Sequence, residues 1–137
     1  MDEKKLFREA VRARENSYCP YSGYAVGAAL LAKDGRVFIG CNIENASYTP
    51  TVCAERCAVF KAVSEGVREF TAIAIVGGPV GAEELSVAYP CGVCRQVLSE
   101  FCDTASFRVI VGRSEEELQD YTLEELLPHS FDKSQLQ

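Results

Sequence analysis

Residues 53–76 of the chain read CAERCAVFKAVSEGVREFTAIAIV, and this stretch decides the fold class. Over residues 53–65 the apolar side chains recur at helical spacing, and Gly66 is of the residue type that most often ends a helix. The run Ile73-Ala74-Ile75-Val76 within residues 70–77 is apolar without alternation, which is typical of a strand covered on both faces. The stretch therefore predicts a helix that leads into a buried strand, as in α/β domains.

The same alternation of helices and strands continues on both sides of this stretch. Further elements are predicted as a helix over residues 3–18, a hairpin of strands 24–32 and 37–42 around the Asp34-Gly35 turn, a helix over 91–102, a strand over 107–111 and a short helix over 123–127. Two β-α-β units with short connections predict a mixed or largely parallel sheet that carries helices on its faces. Since no linker or internal repeat interrupts the pattern, residues 1–137 are expected to form one domain.

Composition and charge narrow the class of function. The chain has 137 residues and a formal net charge of -6, which disfavours a polynucleotide substrate because phosphate binding depends on clustered Lys and Arg. Residues 1–9 lack the apolar core of a secretion signal, and no later apolar run reaches membrane-spanning length. We therefore expect a soluble, cytoplasmic protein without a nucleic-acid or membrane partner, whose seven cysteines remain reduced.

Three of the cysteines predict a metal site. Cys53 and the pair Cys91 and Cys94 stand at the predicted starts of two helices, where the helix dipole favours the thiolate form that zinc binds. Three thiolates leave the fourth position of a tetrahedral zinc ion open, as a catalytic site requires. Cys57 leaves an alternative open, because a CxxxC plus CxxC set also suits a closed structural site, although Cys57 falls one helical turn further along. Glu55 favours the catalytic interpretation, since a carboxylate beside an open zinc position can accept a proton from water.

Several motifs along the chain resemble those of the cytidine deaminases and occur in the same order. The resemblance is to the small type of these enzymes, whose zinc is held by cysteines. The pair of Cys53 and Glu55 and the later segment PCGVC at residues 90–94 match the zinc deaminase signature. The match extends through residues 20–22 (PYS), 26–30 (VGAAL), 40–48 (GCNIENASY), 53–56 (CAER), 90–96 (PCGVCRQ) and 125–128 (ELLP). The resemblance implies an α/β fold of three layers, α-β-α, around a mixed, largely parallel five-stranded sheet. It also implies one zinc ion per subunit and a homotetramer with active sites at subunit interfaces.

The resemblance further implies the reaction, which is the hydrolysis of cytidine and 2′-deoxycytidine to uridine and 2′-deoxyuridine with release of ammonia, in pyrimidine salvage. Cys53, Cys91 and Cys94 match the zinc ligands of the family. Glu55 matches the residue that activates the zinc-bound water for attack on C4 of the pyrimidine. The same carboxyl group would then protonate N3 and later the departing amino group.

Five residues match family positions that contact the substrate. Asn42 and Glu44 correspond to the groups that bind the sugar hydroxyls, and the backbone N–H of Ala54 to the group that contacts the pyrimidine carbonyl. Tyr24 stands where the family often has a Phe beside the pyrimidine ring, so the role of its hydroxyl is open. Phe131 matches a C-terminal aromatic residue that stacks on the base in the pocket of a neighbouring subunit.

Arg56 belongs to the predicted site because the metal ligands carry excess negative charge. Three thiolates and Zn²⁺ sum to one negative charge, which makes a bound water less acidic than at a site with neutral ligands. Arg56 matches the family position that hydrogen-bonds a ligand sulfur, and Arg95 is a weaker candidate for the same role. His129 is the only histidine, and we expect it at the surface rather than on the metal.

Two other functions stay open at this point. One is a deaminase for a modified cytosine nucleoside, such as a nucleoside antibiotic. The other is a non-catalytic zinc module with four cysteine ligands, including Cys57, that binds a protein partner or nucleic acid, of which the acidic charge disfavours nucleic acid. Cys19, Cys41 and Cys102 are predicted to fill the core of the domain.

Overall fold

The computed structural model describes residues 1–136. Its helices are α1 (Glu3–Arg14), α2 (Ala54–Ser64), α3 (Gly92–Phe101) and α4 (Leu123–Leu126), with a 3₁₀ turn at Lys133–Leu136. Its strands are β1 (Gly27–Ala32), β2 (Val37–Cys41), β3 (Phe70–Val76), β4 (Arg108–Gly112) and β5 (Leu118–Thr122). Among residues 1–136, none of the helices combines the length and the hydropathy of a membrane span.

The strands form one mixed sheet in the order β2-β1-β3-β4-β5, which confirms the α/β class and the five-stranded sheet. The prediction that the sheet is largely parallel is wrong. Within residues 1–136 the pair of β3 and β4 is parallel, whereas β1 pairs antiparallel with β2 and β3, and β5 pairs antiparallel with β4. The hairpin of β1 and β2 explains these strand directions. Because β1 lies between β2 and β3, it is antiparallel to both, and the crossover through α2 passes over β1.

Helices cover both faces of the sheet, as the three-layer prediction requires. Along β1, Ala29 points to one face and Leu30 to the other, because successive strand residues alternate. Ala29 belongs to a cluster that contains Leu6 and Phe7 of α1. Leu30 belongs to a larger cluster that contains Leu98 of α3 and residues of α2. Helix α1 thus packs on one face, and α2 and α3 pack on the other.

Helix α2 lies unusually close to the sheet at its first turn. A Cβ atom placed on Gly40 of β2 would come 2.5 Å from the carbonyl oxygen of Ala54 and 3.0 Å from the Cβ atom of Cys57. Both distances are shorter than van der Waals contact, so the packing requires a glycine at this position. The contact fixes the start of α2, which carries Cys53 and Glu55.

The predicted ends of two elements are wrong because side chains and loops compete with them. Helix α1 ends at Arg14 rather than at residue 18, and the N–H of Tyr18 instead donates to the carbonyl of Asn42 at 3.0 Å. Strand β1 begins at Gly27 rather than at residue 24. The N–H of Ala25 donates to the carbonyl of Gly78 at 2.9 Å, and the Arg14 guanidinium donates to the carbonyls of both Ala25 and Gly78. Residues 24–26 are thereby held beside the end of β3.

Strand β5 has no counterpart among the strands that the sequence pattern predicts. Its residues are half-buried or exposed, since β5 is an edge strand of the sheet. Arg108 of β4 and Asp120 of β5 form an ion pair across the two strands. An edge strand held partly by charged side chains lacks the apolar run that identifies a buried strand.

Candidate active site

Two helix N-termini meet at one end of the sheet and bring the predicted cysteines together. Cys53 is the N-cap of α2 and Cys91 is the N-cap of α3, and neither side chain caps its own helix. Cys94 lies in the first turn of α3 and is fully buried. The three sulfur atoms all lie within 4.8 Å of one another, and the Sγ atoms of Cys53 and Cys91 are 3.8 Å apart. This is the spacing of ligands around one metal ion.

The electrostatic environment favours the thiolate form of Cys53. The pKa of Cys53 falls to about 5, because hydrogen bonds from the Cys94 thiol and then from the Arg56 guanidinium stabilise its anion. The hydrogen bond to Cys53, together with burial, raises the pKa of the Cys94 thiol. The sulfurs of Cys53 and Cys94 therefore share a proton, which a divalent cation would replace.

Arg56 supplies the positive charge that the ligand set requires. Its Nη2 atom donates to the Sγ atom of Cys53 at 3.5 Å and to the carbonyl oxygen of Thr51 at 3.3 Å. Its Nε atom is buried without a hydrogen-bond partner among residues 1–136, so the side chain retains a spare donor. Arg95 plays a different part, because its guanidinium donates to the carbonyl oxygens of Pro90 and Leu126 at 2.7 and 2.6 Å.

The structure places Cys57 outside the metal cluster. Within residues 1–136, the group of sulfurs close enough to share an ion contains Cys53, Cys91 and Cys94, and the Cβ atom of Cys57 faces Gly40 of β2. The alternative of a closed site with four cysteine ligands is therefore wrong. A soft donor set of three thiolates with one open position fits zinc.

Glu55 is a buried carboxyl group beside this cluster. It is the second residue of α2, and 4% of its surface is exposed. Burial raises the pKa of Glu55 to about 7, so the carboxyl group is poised to accept and to donate protons near neutral pH. The sequence predicted the position of this group but not its burial.

Glu55, Cys53 and Cys91 open onto a cavity of about 420 Å³. Its lining comes from four segments of the chain, namely Tyr24 and Val26, Asn42, residues 51–55 (TVCAE), and residues 87–89 (VAY) with Cys91. The predicted residues Tyr24, Asn42 and Ala54 therefore lie in one cavity with Glu55, Cys53 and Cys91. Such a volume lies in the range of small-molecule sites.

The side chains of Asn42 and Tyr24, which line the cavity, are both held in place by contacts with backbone atoms. The side-chain oxygen of Asn42 accepts from the N–H of Val26 at 2.9 Å, and its Nδ2 atom donates to the carbonyl oxygen of Tyr24 at 2.8 Å. The Tyr24 ring packs on Gly77, where an added Cβ atom would come within 2.8 Å of both its Cε1 atom and its hydroxyl oxygen. The hydroxyl that the sequence left unexplained thus lies against the backbone at the end of β3.

Glu44 and Phe131 lie outside the lining of this cavity. Glu44 lines an adjacent depression of about 340 Å³ that shares Thr51 with the main cavity. Its carboxylate accepts hydrogen bonds from the Ser22 hydroxyl and from the backbone N–H groups of Tyr21 and Ser22, and these bonds lower its pKa. Phe131 is 57% exposed, and its carbonyl oxygen accepts a hydrogen bond from Gln96 at 2.9 Å.

Sequence reasoning missed part of the cavity wall. Thr51, Val87, Ala88 and Tyr89 line it, and none of them belongs to a pattern that predicts chemistry. One signal was available, because Tyr89 stands immediately before the Pro90 of the PCGVC segment. A residue so near the metal ligands on a loop is a natural candidate for a substrate contact.

Comparison with known proteins agrees with this geometry. The family described as the cytidine and deoxycytidylate deaminase zinc-binding region matches residues 1–111. The cytidine deaminase of Sporosarcina psychrophila is 49% identical over 139 aligned positions that cover 99% of this chain and 96% of that protein. The cytidine deaminase of Halalkalibacterium halodurans is 51% identical over 131 aligned positions, which cover 96% of this chain and 95% of that protein. The crystal structure of cytidine deaminase from Burkholderia pseudomallei has a TM-score of 0.85 at 43% identity and covers 96% of this chain and all of that one. The chain therefore belongs to the family of zinc-binding cytidine and deoxycytidylate deaminases.

Proposed function

We propose that the chain catalyses the hydrolytic deamination of cytidine and 2′-deoxycytidine to uridine and 2′-deoxyuridine, with release of ammonia, as a step of pyrimidine salvage. The observation that carries this proposal is that a buried carboxyl group lines one cavity with Cys53 and Cys91, whose sulfurs form a cluster with that of Cys94. The relatives named cytidine deaminase, which align over nearly their whole length, support it.

Cys53, Cys91 and Cys94 would hold the zinc ion. Zinc bound by three protein ligands makes a water molecule acidic enough to act as a nucleophile near neutral pH. Arg56 would neutralise part of the negative charge of the three thiolates through its contact with the Cys53 sulfur, 3.5 Å away. Without such a cation, the ligand set would oppose the loss of a proton from water.

Glu55 would move the protons of the reaction. It takes a proton from the attacking water as the oxygen adds to C4 of the pyrimidine, and it places a proton on N3. It would then take the second proton of that water from the hydroxyl group newly formed at C4 and deliver it to the amino group. The bond between C4 and that nitrogen breaks, so that ammonia leaves and a carbonyl group remains at C4. A carboxyl group whose pKa burial raises to about 7 suits this exchange, because both of its protonation states are populated at neutral pH.

The remaining predicted residues would hold the nucleoside. The N–H of Ala54, in the first turn of α2, has no partner within its helix and is free to donate to the C2 carbonyl oxygen of the base. Asn42 and Glu44 would bind the sugar hydroxyls, with Glu44 acting from the adjacent depression. Because hydrogen bonds keep Glu44 ionised, this carboxylate would repel a 5′-phosphate and favour nucleosides over nucleotides.

We further propose that the chain acts in the cytoplasm as a homotetramer. All seven cysteines are free thiols, which supports a reducing compartment. The exposed ring of Phe131 supports a shared active site, in which this residue reaches the pocket of a neighbouring subunit and stacks on the base. Tyr24 would face the base from within the same chain as Glu55.

The test follows the loss of cytidine absorbance with the zinc-loaded protein, its Glu55→Gln variant and, as a matched control, Glu65→Gln. Glu65 is an exposed carboxyl group at the other end of α2. Glu55→Gln should keep one zinc per chain and lower kcat by about 10²- to 10⁴-fold, since a general acid and base is removed. Glu65→Gln should match the unmodified protein. An unmodified, zinc-loaded protein that turns over neither cytidine nor 2′-deoxycytidine would contradict the proposal.

A further inference from the structure

One wall of the cavity has no role in the proposed reaction. It consists of residues 87–89, in the loop between β3 and α3, and Tyr89 is its largest side chain. The Tyr89 hydroxyl donates to the Oε1 atom of Gln119 at 3.2 Å, and the Tyr121 hydroxyl donates to the same oxygen at 3.1 Å. The centroids of the two tyrosine rings are 6.0 Å apart. A cavity side chain that is 49% exposed is thus braced by two residues of β5.

The orientation of the pyrimidine determines what this wall would contact, and at this step the inference rests on the proposed function. In that function C4 faces the cysteine sulfurs, N3 faces Glu55 and the C2 carbonyl oxygen faces the N–H of Ala54. The edge of the ring that carries N3 therefore lies along the start of α2. The opposite edge carries C5 and C6, and C5 is bonded to C4, next to the metal ligands. Tyr89 stands two residues before the ligand Cys91 and is the largest lining residue of that loop.

We propose that Tyr89 is a specificity-determining residue that limits the size of the substituent on C5 of the pyrimidine, and that Gln119 and Tyr121 are positioning residues that hold its ring. To move aside, the Tyr89 ring would have to break the hydrogen bond with Gln119 and leave the Tyr121 ring. A hydrogen atom on C5 requires no such movement, whereas a methyl group requires additional space. The unmodified protein should therefore prefer cytidine to 5-methylcytidine.

The test is a competition between cytidine and 5-methylcytidine in a single reaction mixture with the zinc-loaded protein. The ratio of the two uridine products at low conversion gives the ratio of the two kcat/KM values. This ratio is independent of the fraction of active protein and of its zinc content. A variant that merely folds less well or loads less zinc therefore leaves the ratio unchanged.

Three variants decide the assignment. Tyr89→Ala should raise the relative kcat/KM for 5-methylcytidine by about 10-fold or more, in line with the effect of one methyl group in a tight pocket. Gln119→Leu should raise it by a smaller factor, because the ring remains but loses its hydrogen bond. Tyr18→Ala, which removes an exposed tyrosine outside the cavity lining, should leave the ratio unchanged.

An unchanged ratio in Tyr89→Ala, with cytidine still turned over, would overturn the assignment of Tyr89 and leave the proposed function intact. If Tyr89→Ala turns over neither nucleoside, the Gln119→Leu ratio decides in the same way. Absence of cytidine turnover by the unmodified protein would overturn both proposals.

Discussion

Replacing Glu55 by glutamine should stabilise the zinc-free protein at alkaline pH. In the zinc-loaded protein the same substitution should remove most of the activity. The carboxyl group of Glu55 is 4% exposed, and burial raises its pKa from the ordinary value of 4.5 to about 7. An acid whose pKa is higher in the folded than in the unfolded chain binds its proton more tightly when folded. Its contribution to stability is therefore complete below pH 4.5 and is lost as the pH rises to about 7.

The size of the effect follows from these two pKa values. Each tenfold difference in proton affinity between the folded and unfolded chains corresponds to about 1.4 kcal/mol. The ionised carboxylate therefore lowers the free energy of unfolding by about 3 kcal/mol at pH 8, and about 2.5 kcal/mol of this loss falls between pH 5 and pH 8. Glutamine has a similar shape and no charge, so the Glu55→Gln variant is spared this loss.

The assay is urea denaturation of zinc-free, reduced protein at pH 5, 6, 7 and 8, followed by circular dichroism. The gap in unfolding free energy between Glu55→Gln and the unmodified protein should widen by about 2.5 kcal/mol across this range. In the matched control Glu65→Gln the gap should stay flat, because that carboxyl group is exposed. Parallel pH profiles for Glu55→Gln and the unmodified protein would refute the reasoning, since they would mean that Glu55 ionises as freely in the folded chain as in water.

Three other substitutions test the surroundings of the site. Arg56→Gln should weaken zinc affinity by about 10- to 100-fold in a chelator competition, because the hydrogen-bond donor 3.5 Å from the Cys53 sulfur is lost. An unchanged affinity would mean that Arg56 does not support the metal site. Gly77→Ala should raise the KM for cytidine several-fold and leave the zinc content unchanged, because the added methyl group forces the Tyr24 ring towards the cavity. An unchanged KM would mean that the ring moves in another direction. Cys57→Ala should keep one zinc per chain and its activity, since its sulfur lies outside the metal cluster, and loss of the zinc would contradict that placement.

The sequence was most informative where local rules decide the structure. The N-caps of α2 and α3, with Cys53 and Cys91, were predictable because helix ends leave recognisable patterns and because a thiol at a helix N-terminus has a defined chemistry. Two helices that cross the same way over one sheet bring their N-termini to the same end. The metal cluster could thus be predicted before any distance was known, except that spacing alone did not exclude Cys57.

The sequence was least informative where strand pairing decides the structure. Nothing local indicates that β1 lies between β2 and β3, so the proportion of parallel pairs was predicted wrongly. Strand β5 was missed for the related reason that its partly polar residues are held at an edge by pairing with β4. The contacts that brace Tyr89 on the cavity wall were missed with this strand, since Gln119 and Tyr121 belong to β5.

Glu55 marks the site because its buried position lowers the stability of the folded chain once the carboxyl group ionises. A carboxyl group in the first turn of a helix is favourable when it is exposed, because it opposes the helix dipole at no cost in hydration. Glu55 occupies such a position but is buried, and burial and the negative charge of the Cys53 thiolate both raise its pKa. An aspartate or glutamate kept there for helix stability alone would face solvent, as Glu3 does at the start of α1. The loss of about 3 kcal/mol at alkaline pH therefore favours a function in proton transfer over a structural role for this side chain.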